Sequence, residues 1–201
     1  MHYRHLIEGC FADRIGTGGV SAAGFADSRV AADAEHQRIR QTSEPEMAAV
    51  LALPEKTDDI AAIHDASERL SSGFTNILVV GTGGSSLGAR TLCSLAPNTT
   101  PKLHFLENVD PSELDPFFDQ LDPALTSALF VSKSGGTLET LAVSMVVMNW
   151  LREGCGEAAL GRQTMAITEQ NDNPLARLCD RYGIPVMPHD PHIGGRYSIF
   201  S

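Results

Sequence analysis

Ile77-Leu78-Val79-Val80-Gly81-Thr82-Gly83-Gly84-Ser85-Ser86-Leu87-Gly88 is the stretch whose reading decides the fold. Four branched apolar residues in a row read as a buried parallel strand, and the glycine-serine turn after them opens a helix near Leu87. A strand that runs through such a turn into a helix N-terminus makes an anion site. Its glycines let backbone N–H groups approach closely, the hydroxyls of Ser85 and Ser86 add donors, and the helix dipole favours negative charge. The stretch therefore reads as a phosphate cradle.

Outward from it, short apolar runs alternate with helical ones. Strands are expected at residues 77–80, 103–106, 129–132, 165–168 and 185–187. Helices are expected at about 87–95, after Asp110-Pro111-Ser112-Glu113, at about 137–152, and from Asn173-Pro174 to near Gly183. The second of these has a capping aspartate with proline at the first helical position. Alternation with short loops implies an α/β fold, a three-layer αβα sandwich on a five-stranded parallel sheet of flavodoxin-like order 2-1-3-4-5. The helix over 137–152 is apolar nearly all round, with Leu138, Leu141, Val143, Met145, Val146, Val147, Met148 and Trp150. It reads as a buried layer helix, the alternative being a helix shared with a second domain or subunit.

Residues 1–56 are expected to form a mostly helical N-terminal arm packed on the main domain. It contains a glycine-rich loop at 16–24, a helical stretch at 28–41, and a short apolar segment at 47–53 between Pro45 and Pro54. Thr57 reads as the N-cap of the next helix, with Asp58 and Asp59 in its first turn, Ile60, Ile63 and Leu70 on one face, and Gly73 at its end.

At 201 residues, 42% of them hydrophobic and 20% charged, the chain has enough material for one good core and a small appendage. No run approaches the roughly 18 apolar residues of a membrane span. Met1-His2-Tyr3-Arg4-His5 is not followed by a signal-peptide core, so secretion is not expected. Cys10, Cys93, Cys155 and Cys179 are scattered without metal-ligand spacing, which fits reduced thiols and a cytoplasmic location. A formal charge of −10 argues against nucleic acid or an anionic membrane as partner.

Two glycine motifs are approached and missed. Gly81 and Gly83 fit a dinucleotide fingerprint and Glu107 ends the second strand as its acidic residue would, but Ser86 stands at the third glycine position. Gly83 and Gly88 have P-loop spacing, but Ala89-Arg90 follow where lysine and a hydroxyl are required. The second turn, Ser132-Lys133-Ser134-Gly135-Gly136-Thr137, carries more weight. It too lies between a strand and a helix, and in this strand order it faces the first turn across the crevice at the strand C-termini. Together the two turns form a phosphomonoester pocket, with Lys133 either pairing with the phosphate or exposed. Glu139 reads as favourable charge at a helix N-terminus. His189 and His192 lack a third placed ligand and read as solvated loop residues. His64 and His104 read as a helix and a strand histidine. No cofactor and no metal site is expected, and no catalytic base is identifiable.

Val80-Gly81-Thr82-Gly83-Gly84-Ser85-Ser86-Leu87-Gly88 and Ser132-Lys133-Ser134-Gly135-Gly136-Thr137-Leu138-Glu139-Thr140 resemble the two sugar-phosphate signatures of SIS domains. More narrowly, they resemble the first SIS domain of the glucose-6-phosphate isomerase (phosphoglucose isomerase) family. Gly194-Gly195-Arg196-Tyr197-Ser198 is similar to that family's Gly-Gly-Arg-[Phe/Tyr]-Ser signature. Ser134-Gly135-Gly136 departs from it, since many members carry Thr-Phe-Thr there. The resemblance covers residues 75–201 and divides the chain into the arm (1–56), a SIS domain (57–190) and the start of a segment leading to a second SIS domain (191–201).

The resemblance implies that Ser85, Ser132, Ser134 and Thr137 bind a substrate phosphate, helped by the backbone of Gly84 and Lys133. It places Gly195 at the sugar and Arg196 at the reacting carbons as the catalytic group. The implied reaction interconverts glucose 6-phosphate and fructose 6-phosphate through a cis-enediolate in glycolysis and gluconeogenesis. Family members supply the carboxylate base and ring-opening groups from later residues and work as homodimers, so the chain reads as an N-terminal fragment, inactive alone. A non-catalytic sugar-phosphate-binding module is the alternative, as is another SIS aldose–ketose isomerase.

Overall fold

The computed structural model describes residues 4–96 and 100–200. The chain forms two compact units, Met1–Leu51 and Ala52–Ser201.

The first unit holds a single helical turn, α1 (Ala12–Ile15), then the long α2 (Ala22–Arg40) and α3 (Pro45–Ala52), which ends at the unit boundary. The Ser21 hydroxyl accepts the Gly24 N–H at 3.0 Å and starts α2 six residues before the expected position 28. Gly24 is thus helical rather than part of a loop. Phe11 bridges to Val20 and meets Phe25 edge-on at 5.3 Å between ring centroids. None of these three helices carries a buried residue.

The second unit runs α4 (Ile60–Ser71), β1 (Asn76–Val80), α5 (Leu87–Ser94), β2 (Lys102–Leu106), α6 (Pro111–Gln120), β3 (Thr126–Val131), α7 (Leu138–Cys155), α8 (Ala158–Gln163), β4 (Thr164–Thr168), α9 (Pro174–Tyr182) and β5 (Val186–Pro188). All strand pairs are parallel, in the order β2-β1-β3-β4-β5. Alternate β1 residues serve opposite faces, as a fully covered strand requires. Leu78 and Val80 join the larger core with Phe130, Val147, Leu151, Leu160 and Leu175, under α6 to α9. Ile77 and Val79 join Leu70 of α4 and Met165 in the smaller one. Each such fully buried side chain contributes about 1.5–3 kcal/mol.

Five expectations are corrected in the second unit. Thr57 does not cap α4: the helix begins at Ile60 after Asp59, whose carboxylate pairs with Lys56 at 2.8 Å instead of capping. Ile60 and Ile63 lie exposed, so α4 buries Leu70 and little else. β3 starts three residues before the expected 129, because Thr126 and Ser127 are buried with their hydroxyls satisfied. Thr126 Oγ1 donates to the Asp122 carbonyl at 2.8 Å and Ser127 Oγ to that of Leu70 at 2.6 Å, and a hydrogen-bonded buried hydroxyl costs little. α8 was not expected at all; Gln163 anchors its end by donating to the carbonyls of Pro123 and Thr126 at 2.8 and 2.9 Å. Finally, α7 is buried along one face only, through Thr140, Val143, Ser144, Val147, Met148 and Leu151, while Leu138 is 75% and Met145 53% exposed.

His104 of β2 gives the fold a pH dependence. Its Nε2 lies 2.9 Å from Asn76 Oδ1 and its ring meets Phe117 edge-on. Partial burial, with Lys102 adding repulsion, holds its pKa below the usual histidine value. The folded pKa is thus depressed, and the unfolded chain takes up the proton first. The stabilisation is complete above about pH 6.5 and is lost as pH falls from there through the lower folded value. The thermal midpoint should drop between pH 7 and pH 5 by less in His104→Gln than in the parent. Equal drops in the two proteins would show that His104 does not contribute.

Candidate functional site at the strand C-termini

β1 ends in a 3-10 turn, Gly83–Ser85, entered through extended Thr82 and leading into α5. A β-carbon on Gly81 would lie 3.0 Å from the Val131 carbonyl oxygen, so the ends of β1 and β3 touch here. Gly83 takes φ +57, a left-handed value natural to glycine. Ser85 is half-buried beside Gly84. Ser86 does not join the cradle as expected. It is fully buried, and its hydroxyl donates to the Glu107 carboxylate, which also binds the Arg90 guanidinium.

The second turn follows β3. Ser132 is buried, its hydroxyl donating to Thr137 Oγ1 at 3.2 Å, while exposed Ser134 accepts the Gly136 N–H on Oγ at 3.3 Å. Gly135 has φ +61, and its carbonyl accepts the Leu175 N–H at 3.0 Å. A side chain there would overlap buried Asn173, whose Oδ1 caps α9 at the Ala176 N–H, 2.8 Å away. Lys133 follows neither expected course. Its ammonium donates to the Pro191 carbonyl at 2.8 Å and lies 3.7 Å from Glu169, tying the turn to the loop after β5.

That loop carries two histidines, and one departs from expectation. His189 is 5% exposed rather than solvated, with Nδ1 2.8 Å from the Asp190 carbonyl. Exposed His192 donates its N–H to Asp190 Oδ1 at 2.8 Å. Among the described residues, no three His, Cys, Asp or Glu side chains come together as a metal-ligand set.

Beyond buried Ile193, the chain forms a 3-10 turn, Gly195–Phe200, that docks on the first turn. A β-carbon on Gly84 would lie 2.1 Å from the Gly195 carbonyl oxygen, and one on Gly88 2.7 Å from Ile199 Cδ1. Ser198 Oγ reaches the carbonyls of Gly195 at 2.8 Å and Gly84 at 3.5 Å. Arg196 stands exposed beside this contact, and among the described residues its guanidinium has no carboxylate partner.

The fold thus brings Gly84 and Ser85 against Gly195 and Arg196, and sets Ser132, Lys133, Ser134 and Thr137 at the end of the neighbouring strand, where Val80 pairs with Phe130. Three residues that shape the site carry no sequence signal for that role: Glu107 has the place of a dinucleotide acid, Asn173 that of a helix start, and Ile199 belongs to no motif.

Two hydroxyl-bearing glycine turns at adjacent strand ends, with an arginine segment folded onto one of them, belong to a doubly wound α/β domain and stand at its topological switch point, where ligands bind in such folds. The phosphoglucose isomerase family model matches residues 33–201, and the chain belongs to that family. A glucose-6-phosphate isomerase of Rubrobacter xylanophilus is 34% identical over 159 residues, 74% of this chain and 37% of that protein. A glucose-6-phosphate isomerase of Thermus thermophilus is 29% identical over 170 residues, 84% of this chain and 40% of that protein. A crystal structure of a hypothetical protein of Thermus thermophilus superposes with a TM-score of 0.76 at 27% identity, covering 90% of this chain and 44% of the other. The chain spans between about a quarter and two fifths of the length of the curated relatives it matches.

Proposed function

We propose that residues 57–190 are the sugar-phosphate-holding domain of a glucose-6-phosphate isomerase, with residues 191–201 bringing in the arginine. The observation that carries this reading is the backbone contact between Gly84 and Gly195, which puts Arg196 beside the first turn. In this reading Ser85, Ser132, Ser134 and Thr137 donate to the phosphate of glucose 6-phosphate or fructose 6-phosphate, together with the main chain of Gly84 and Lys133. The Lys133 side chain is engaged at Pro191 and Glu169, so its share is the backbone.

The reaction moves a proton between C1 and C2 of the opened sugar through a cis-enediolate. Negative charge develops on the oxygens of those carbons, and a fixed guanidinium beside them stabilises it. With no carboxylate partner among the described residues, the Arg196 guanidinium is not committed to an ion pair and its donors can serve that task. The carboxylate that moves the proton and the groups that open the ring come, in this reading, from the part of the relatives' length that this chain does not span, and the working protein is a homodimer.

The test has two arms. Calorimetric titration of the chain with fructose 6-phosphate should show binding that Ser132→Ala weakens about tenfold, the scale of one hydrogen bond to a charged group. In the longer isomerase, Arg196→Ala should lower kcat by about 10²–10³. An undiminished isomerisation rate in either variant would remove the assignment.

A further inference from the structure

We propose that Glu107 is a positioning residue that fixes the first turn for phosphate and so sets the affinity for a sugar phosphate. The inference rests on the site reading above and assigns a role to a residue outside the two turns. Glu107 directly follows β2, the outer neighbour of β1. One of its carboxylate oxygens accepts the Ser86 hydroxyl and the other the Arg90 guanidinium, and the side chain is 23% exposed.

Ser86 occupies the residue before α5, where serine ordinarily accepts an N–H of the first helical turn. It does not do so here; its backbone sits at φ −133, ψ −41, and its side chain makes no capping bond. The hydroxyl is instead turned inward as a donor to Glu107. The first-turn N–H groups of α5, which have no intrahelical partner, are therefore not covered by the residue best placed to cover them. Arg90, one turn into the helix, is drawn to the same carboxylate, so Glu107 holds both the entry and the first turn of α5 against β2.

Charge gives the inference its sign. A carboxylate near a phosphate site repels the ligand, and this one is retained with an arginine against it. If Glu107 acted only through its field, removing it would strengthen phosphate binding. If it acts by holding the turn, removing it weakens binding in spite of the lost repulsion.

The measurement is the affinity of the chain for fructose 6-phosphate and for inorganic phosphate, by calorimetry, at a temperature where every variant is folded. Affinity per folded molecule is not moved by a loss of stability alone. Glu107→Ala should weaken fructose 6-phosphate binding about tenfold, Ser86→Ala should do the same, and the double variant should be no weaker than either. Glu107→Gln, which keeps an acceptor for Ser86, should recover part of the loss. Unchanged or tighter binding by Glu107→Ala, with Ser85→Ala and Ser132→Ala both weakened, overturns the role of Glu107 and leaves the phosphate site standing. No binding by the unsubstituted chain, or no effect of Ser85→Ala and Ser132→Ala, overturns the site reading and this inference with it.

Discussion

Gly84→Ala is expected to weaken fructose 6-phosphate binding by 10-fold or more, and to lower kcat of the longer isomerase by about 10², the scale of an ångström misplacement at a reacting centre. The added β-carbon would lie 2.1 Å from the Gly195 oxygen, 2.5 Å from its carbonyl carbon and 3.1 Å from the Arg196 nitrogen. All three are main-chain atoms, so no flexible side-chain end can give way. Gly84 does not have a left-handed φ, and alanine meets no backbone strain there. The whole effect therefore comes from pushing the Gly195–Phe200 turn off the first turn, and Arg196 moves with it. Titration and steady-state kinetics check the expectation. Parent-like affinity and kcat in Gly84→Ala would show that the close approach has no bearing on the site.

Gly135→Ala should act mainly through stability. Two penalties coincide: a left-handed φ of +61, and a β-carbon 1.7 Å from Asn173 Oδ1. Asn173 cannot retreat cheaply. Its Oδ1 caps α9, and its Nδ2 donates to Thr168 Oγ1 at 3.2 Å, the Glu169 carbonyl at 3.0 Å and Asn171 Oδ1 at 2.8 Å. Left-handed backbone costs a non-glycine residue about 1–2 kcal/mol, and a buried polar group deprived of its partners about 1–3 kcal/mol. Their sum, about 2–5 kcal/mol, lowers the melting temperature of a chain this size by about 4–20 °C. A thermal scan decides it: a shift under about 2 °C would mean that the turn relaxes around the methyl group.

The strands were legible because each is largely an apolar run before a glycine- or proline-marked turn, a local grammar, and their order followed from the doubly wound pattern of alternating strands and helices. The caps at Asp110 and Asn173 were legible for the same reason; the Asp110 carboxylate accepts the Ser112 N–H at 2.9 Å. What escaped was set by partners far along the chain. Thr126 and Ser127 lie outside the expected strand, and their place in β3 depends on the carbonyls of Asp122 and Leu70 that satisfy them. Ser86 read as a phosphate donor, and only the arrival of Glu107 from β2 turns it away. Lys133 looked like a choice between ligand and solvent; the Pro191 carbonyl supplied a third course. Residue types show that two hydroxyl turns face one crevice. Which hydroxyls point into it depends on contacts that local pattern does not carry.

The docking of Gly195–Phe200 on the first turn also orders the assembly of this site in time. Ser85 and Arg196 are 111 residues apart (196 − 85). At about 5–20 residues per second, a ribosome needs roughly 6–22 s to pass from one to the other. Ser132 to Thr137 are made near the middle of that interval and Gly195 at its end. A nascent chain therefore carries both hydroxyl turns for several seconds before the arginine segment exists to close over Gly84.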